Sequence, residues 1–218
     1  MRIRSFIIAY ALVLVILLFA DRRPGQNQQD RYSHVVDLTD GEIPTAPHSA
    51  VRESRTRIIA PGALIPGTWA AGQIPAERLV APFVVMNIES AEQQISLDDI
   101  ATWESRNGII PQGAIVGVRR TGSPKSTESD SAATFPIARE AAQFLIDARY
   151  TIGFAVETPV NFGTDRTLAR QIALRGAYVV EGTMHLQSVP ATGSLVIVAP
   201  AKDKKPGEAQ VRILAMVR

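Results

Sequence analysis

The chain has 218 residues, 46% hydrophobic and 20% charged, which suits one globular domain with a sizeable core and excludes a disordered or collagen-like chain. It contains 0 Cys, which excludes disulfides and thiolate metal sites but fixes no compartment. The formal charge of +2 sits at the N-terminus, where Arg2, Arg4, Arg22 and Arg23 outweigh Asp21. The rest of the chain carries no basic excess of the kind that binds nucleic acid, so no nucleic-acid partner is expected.

The chain opens with "MRIR", sixteen residues without a charge (5–20), and "DRRPG". A helix of sixteen residues spans roughly 24 Å, less than a bilayer core of about 30 Å, so residues 1–20 read as a signal peptide. Leu18 is large for the −3 position of a cleavage site after Ala20. An uncleaved anchor, touching the membrane through residues 5–20, is therefore the alternative. Either reading places the chain outside the cytoplasm (periplasmic or extracellular) or on a membrane. Residues 21–33 are polar and Gln-rich and read as a linker, so the globular domain is expected over 34–218.

"HVVDL" reads as a strand beginning at His34. The stretch "ESRTRIIAPGALIPGTWAAGQIP" (Glu53 to Pro75) has the Pro and Gly punctuation of an active-site loop, yet holds no His, Asp or Cys. Phe83 to Ile88 reads as a buried strand. A helix follows, with Ser96 and Asp99 as a capping box and Asn107-Gly108 as its stop. "AIVGVRR" is a strand and "GSPKSTESDSAAT" a polar loop. In the next helix Pro136 suits the first turn, and Ile137, Ala141, Phe144, Leu145 and Ala148 share one face. "TIGFAVE" is a strand. "TDRTLARQIALRG" is a helix with Thr164 as cap and Gly176 as stop. "AYVVEG", "SLVIVAPA" and "VRILAMV" are strands, the last two forming an antiparallel hairpin across a solvated "AKDKKPGEAQ" turn. This order predicts an α/β domain with a mixed sheet.

The residues supply few candidates for chemistry. His34, His48 and His185 are not spaced as a zinc pair. His185 follows Glu181 by four residues, but Gly182 argues against the helix that would put them on one face. There is no phosphate-binding loop and no Gly-x-Ser-x-Gly elbow. Glu157 and Glu181 end predicted strands, where α/β sheets place ligand sites, although a strand-terminal carboxylate is commonly just solvated.

The succession "HVVDLT", "PGTWAAGQIPAERLVAP", "ISLDDIATWESRNGIIPQGAIVGVRRTG", "IGFAVETP" and "VEGTMHLQSVPATGSLVIVAPAK" resembles the cyclase family, the kynurenine-formamidase-like hydrolases, over about residues 34 to 218. The resemblance implies an α/β fold of the swivelling β/β/α type, with a barrel-like mixed sheet and flanking helices. It implies a homo-oligomer, zinc or manganese, and hydrolysis of amide or cyclic amide bonds, as in tryptophan breakdown. The family's His-x-Gly-Thr-His-x-Asp-Ala-Pro-x-His motif falls without a gap on Glu53 to Ala63. Thr56, Ala60 and Pro61 match it, but its His and Asp positions hold Glu53, Arg57, Ile59 and Ala63. A further family His falls on Ala169, and the family's catalytic and metal-ligating Glu is matched by Glu181.

Ile59, Ala63 and Ala169 donate nothing to a metal, and Arg57 is a permanent cation. No bound metal is therefore expected, and the family reaction should be absent or very weak, because no water is activated and no imidazole moves protons. An Arg57–Glu181 ion pair is expected in place of the metal cluster, with a solvent-facing Arg57 as the plainer alternative. Two other readings stand beside this one. One is an active zinc or manganese hydrolase with a relocated site at Glu181, His185 and His34 or His48. The other is an exported or tethered binding module. The residues name no small-molecule ligand.

Overall fold

The computed structural model describes residues 32–41, 55–89, 94–121, 133–162, 166–202 and 207–218, and the domain is the compact unit His34–Arg218. The apolar run 5–20, His48, Glu53, the loop 122–132 and Thr164 lie outside the described residues. Among the described residues no helix is long and apolar enough to cross a membrane.

The strands are β1 (His34–Asp37), β2 (Arg57–Ile59), β3 (Val80–Ile88), β4 (Ile115–Arg120), β5 (Ala133–Thr134), β6 (Gly153–Val156), β7 (Val160–Asn161), β8 (Tyr178–Glu181), β9 (Ser194–Pro200) and β10 (Glu208–Val217). The helices are α1 (Pro61–Leu64), α2 (Leu97–Asn107), α3 (Arg139–Ala148) and α4 (Thr167–Leu174). Seven strands close a ring in the order β10, β2, β8, β6, β4, β3, β9, because β9 pairs with both β3 and β10. β1 adds to β10 outside the ring, and β5 pairs with β7 as a separate ribbon. The run β3–β4–β6–β8 is parallel, and β9, β10 and β2 complete the barrel with antiparallel pairings. The expected mixed, barrel-like sheet with flanking helices is therefore present.

Period-two alternation along the strands sorts the apolar side chains into two cores. Ile58, Phe83, Ile115, Tyr178, Val180 and Ile213 fill the barrel interior. Phe83 lies over Gly117, and Tyr178 lies over Gly153, its direct partner on β6. A Cβ at either glycine would fall within 3.0 Å of the ring, so the two glycines make room for the two large aromatics. Ile59, Val84, Val116, Phe154 and Val179 face outward and pack with Ile100 of α2, Leu145 of α3 and Ile172 of α4.

Local signals placed most elements. Ser96 Oγ accepts from Asp99 N at 3.2 Å, and Asp99 Oδ2 accepts from Ser96 N at 2.8 Å, so aspartate serves in the capping box. Gly176, at φ +66°, follows α4 as its stop. Three local readings change. Pro136 precedes α3 instead of opening it: its carbonyl accepts from Ile95 N at 2.9 Å, and Ile137 bridges Ile95, so this segment is held extended. The buried face of α3 is Ala141, Ala142, Leu145 and Ile146, with Ala148 exposed, so the face that packs on the barrel is turned from the expected one. The end of the polar loop, Ala133–Thr134, forms β5 by pairing with β7.

Candidate functional site

The stretch around the loop "APGALIPGTW" folds as β2, then α1, then a turn back to the sheet. Gly62 N donates to Trp69 O at 2.7 Å, and a Cβ at residue 62 would meet the same carbonyl, so the loop closes tightly on itself. The Trp69 ring lies against Gly176 at the end of α4, and the Arg78 guanidinium stacks 5.6 Å from its centroid. Arg78 Nη2 donates to Gly176 O at 3.0 Å, and Tyr178 Oη donates to Arg78 O at 2.7 Å. The Pro, Gly and Trp frame is thus a structural clasp between the barrel and α4, and α1 packs on α4. Its φ/ψ and packing demands hold whatever chemistry lies beside it.

Beside this clasp the structure brings part of the expected set together, on two neighbouring strands. Arg57 and Ile59 are on β2, Glu181 is on the neighbouring β8, and Ala169 is on α4, which covers the same outer face of the barrel. Arg57 is the register partner of Glu181, and Ile59 of Val179. Ile59 is 6% exposed and Ala169 3% exposed, so both are core residues. Ala63 on α1 is exposed. Thr56 is fully buried: its Oγ1 donates to Gly182 O at 2.8 Å and accepts from Asp40 N at 2.7 Å. The motif's threonine therefore survives as a peg joining three chain segments.

Glu181 is 7% exposed, and its Oε2 accepts from Val160 N at 3.1 Å. Burial pushes its carboxyl above the usual range, the Val160 N–H opposes that, Glu208 adds to it, and Arg57 opposes it. The expected Arg57–Glu181 ion pair is corrected here. Although the two residues are direct neighbours in the sheet, Arg57 Nη1 lies 3.4 Å from Glu208 Oε2 on β10, with both side chains half exposed. Glu208 is the residue that reading the sequence missed. It lies in a turn-like "PGEAQ" segment, and only the β10–β2 pairing brings it to this face.

The donor set among the described residues does not fit a divalent cation. Among the described residues no three His, Asp or Glu side chains converge as a ligand group. Among the described residues one carboxylate, Glu181, stands at an expected position, with a guanidinium as its register partner; Glu53 lies outside the described residues. The relocated ligand set is not assembled among the described residues either. His185 is exposed at φ +59° before the short turn Leu186–Ser188. His34 starts β1 five residues before Thr39, which bridges Thr183; at about 3.3 Å per residue that is about 16 Å away along the strand. Glu157 follows the end of β6, where its Oε2 accepts from Arg120 N at 2.7 Å. Burial raises its pKa, against that hydrogen bond and the charges of Arg119 and Arg120. Both strand-terminal carboxylates are therefore tied to backbone N–H groups, not simply solvated.

Solved structures with this fold include isatin hydrolase A of Labrenzia aggregata bound to benzyl benzoate, at 24% identity and TM-score 0.69, with 88% of this chain and 96% of that chain covered. Isatin hydrolase A of Ralstonia solanacearum matches at 21% identity and TM-score 0.65, over 85% and 92% of the two chains. A protein of Bacillus stearothermophilus described as a predicted metal-dependent hydrolase matches at 22% identity and TM-score 0.60, over 85% and 98%. None of the curated proteins compared with the chain matches it. The cyclase family model matches residues 30–161, which takes in β2, Trp69 and Glu157 and stops short of Ala169, Gly176 and Glu181. With that match spanning more than half of the sequence, and with the barrel shared with those hydrolases, the chain belongs to the cyclase family.

Proposed function

We propose that this chain is a cyclase-family hydrolase fold that has lost metal-dependent amide hydrolysis and is kept as a non-catalytic binding or assembly module. The observation that carries the proposal is the Arg57–Glu208 ion pair on the strands beside Glu181, with the expected ligand positions 59 and 169 held by the buried apolar Ile59 and Ala169. A guanidinium held there repels a divalent cation, and one carboxylate already bonded to a backbone N–H does not make a metal site. Among the described residues no imidazole stands beside Glu181, so neither a metal-activated water nor a histidine base is supplied there for attack on an amide carbon.

The test is an assay of the purified chain on isatin and on N-formylkynurenine, with Zn2+ or Mn2+ supplied. No turnover above buffer is expected, with no stoichiometric metal in the protein and the same melting temperature with and without EDTA. Turnover that depends on added metal overturns the proposal. Two expectations drawn from the sequence travel with it: a homo-oligomer, and export or anchoring through residues 1–20. Light scattering tests the first, and mass spectrometry of the mature N-terminus tests the second.

A further inference from the structure

Each of α2, α3 and α4 carries the chain back to the start of a parallel strand, β4, β6 or β8. The C-terminal ends of the three helices therefore gather at one end of the barrel, and Glu157 and Glu181 stand at the other, where β6 and β8 finish. Ile109, Tyr150 and Leu174 mark those helix ends. At 74%, 60% and 68% exposure they are the three most exposed large hydrophobic residues among the described ones. Ion pairs tie the three ends together. Arg149, next to Tyr150, donates through Nε to Glu104 at 2.7 Å, and the same carboxylate accepts from Ile110 N, next to Ile109, at 3.0 Å. Arg175, next to Leu174, pairs with Asp147 of α3 at 2.7 Å. Large apolar groups collected at one end of a domain mark a protein or lipid contact.

Between α3 and α4 lies a groove of about 190 Å³, lined by Gln143, Ile146 and Asp147 from α3 and by Gln171, Leu174 and Arg175 from the end of α4. Both triplets have the i, i+3, i+4 spacing that sets side chains on one helix face. Gln171 Oε1 in the groove wall is a buried acceptor with no donor among the described residues, a state that a donor from outside the domain relieves. A two-fold contact needs a surface complementary to itself. This one has a knob in the exposed Leu174, a hole in the groove, and one charge of each sign in the part-exposed Asp147 and Arg175. A lipid surface fits it less well, because anionic headgroups call for a basic excess, and here Arg149 and Arg175 are each matched by a carboxylate. We infer that a second copy of the chain docks on this end of the barrel about a two-fold axis, α3 and α4 against the same helices of the other copy. Leu174 enters the groove of the second copy, and Asp147 meets its arginine at position 175. The contact leaves the two ends that carry Glu181 facing away from each other. This inference deepens the assembly part of the reading above, by naming the contact, and does not depend on the loss of turnover.

The experiment is analytical ultracentrifugation of the purified full chain over a concentration series, in mild detergent to keep the apolar run 5–20 in solution. The wild type is expected to be a dimer. Leu174→Glu is expected to raise its dissociation constant at least about tenfold, because it brings an unpaired charge into an apolar contact. Urea unfolding checks that the variant is folded, and Leu174→Gln, polar but suited to a helix, replaces it if unfolding is not cooperative. Asp147→Arg and Arg175→Asp should each weaken the dimer alone and form a mixed dimer when combined, since each variant supplies the charge that the other lacks. A pair that acts only within one chain gives no such rescue. A dimer that Leu174→Glu leaves as tight as the wild type overturns the inference alone, as does a mixture without rescue. A monomeric wild type overturns both the inference and the assembly part of the reading. Metal-dependent turnover by the wild type is the separate result that overturns the non-catalytic part.

Discussion

Replacing Glu181 by glutamine and by alanine separates a structural carboxylate from a catalytic one. The side chain is 7% exposed and accepts from Val160 N at 3.1 Å, which ties β7 to the end of β8. Alanine removes that acceptor and strands an N–H in a half-buried place, at a cost of about 1–3 kcal/mol. Glutamine keeps an acceptor oxygen of the same reach and removes only the charge, so near pH 7 it should cost less than about 1 kcal/mol. The pH dependence gives a second reading of the same residue. Burial raises the Glu181 pKa in the folded state, so between the ordinary carboxylate value and the raised one the folded chain holds a proton that the unfolded chain has released. The stability owed to this proton is present below the ordinary glutamate pKa and is lost as pH rises through the raised one. Glutamine has no such loss, so its stability relative to wild type should improve as pH rises from about 4 to about 8. Urea unfolding at a series of pH values measures this, with the m-value checked for constancy. The reasoning is refuted if glutamine destabilises as much as alanine at pH 7, or if the gap between glutamine and wild type does not change with pH.

Other perturbations follow from the same geometry. Gly182→Ala is expected to cost about 2–4 kcal/mol, because φ is +68° and the new Cβ would run into the Arg55 carbonyl, pulling apart the Thr56–Gly182 hydrogen bond; thermal melting and urea unfolding measure it. Glu104 accepts from Arg149 Nε at 2.7 Å and Arg149 Nη2 at 2.9 Å, and from Ile110 N at 3.0 Å, joining α2 to the end of α3. Glu104→Ala should therefore cost about 1.5–3 kcal/mol near neutral pH. The Arg149 hydrogen bond holds the Glu104 carboxyl below its usual range. This contribution is present above the ordinary carboxylate pKa and fades as pH falls through the lowered one, so the wild type and Glu104→Ala should converge in strong acid.

Most elements were legible because their signals are local. The Ser96–Asp99 box, the Gly176 stop, the apolar runs of β3, β4, β6 and β8 and the terminal hairpin each depend on residues close in the chain, where caps and strand alternation act. The errors came where a distant partner decided. Pro136 satisfied the rule for a first helical turn, but pairing with Ile95 held it extended. The charge argument drew Arg57 to Glu181, its register partner, but the ion pair forms with Glu208 on the other neighbouring strand.

By itself the sequence determined the family frame and the side-chain types at each position, and an alanine, isoleucine or arginine side chain offers a metal no lone pair in any fold. Only the tertiary structure decided where the remaining charges go. Barrel closure brings β10 against β2, Glu208 becomes a diagonal neighbour of Arg57, and Glu181 turns to the Val160 N–H. Side-chain chemistry belongs to each residue alone, whereas an ion-pair partner is set by strand register between segments about 150 residues apart (Arg57 and Glu208 are 151 apart), which no local pattern encodes.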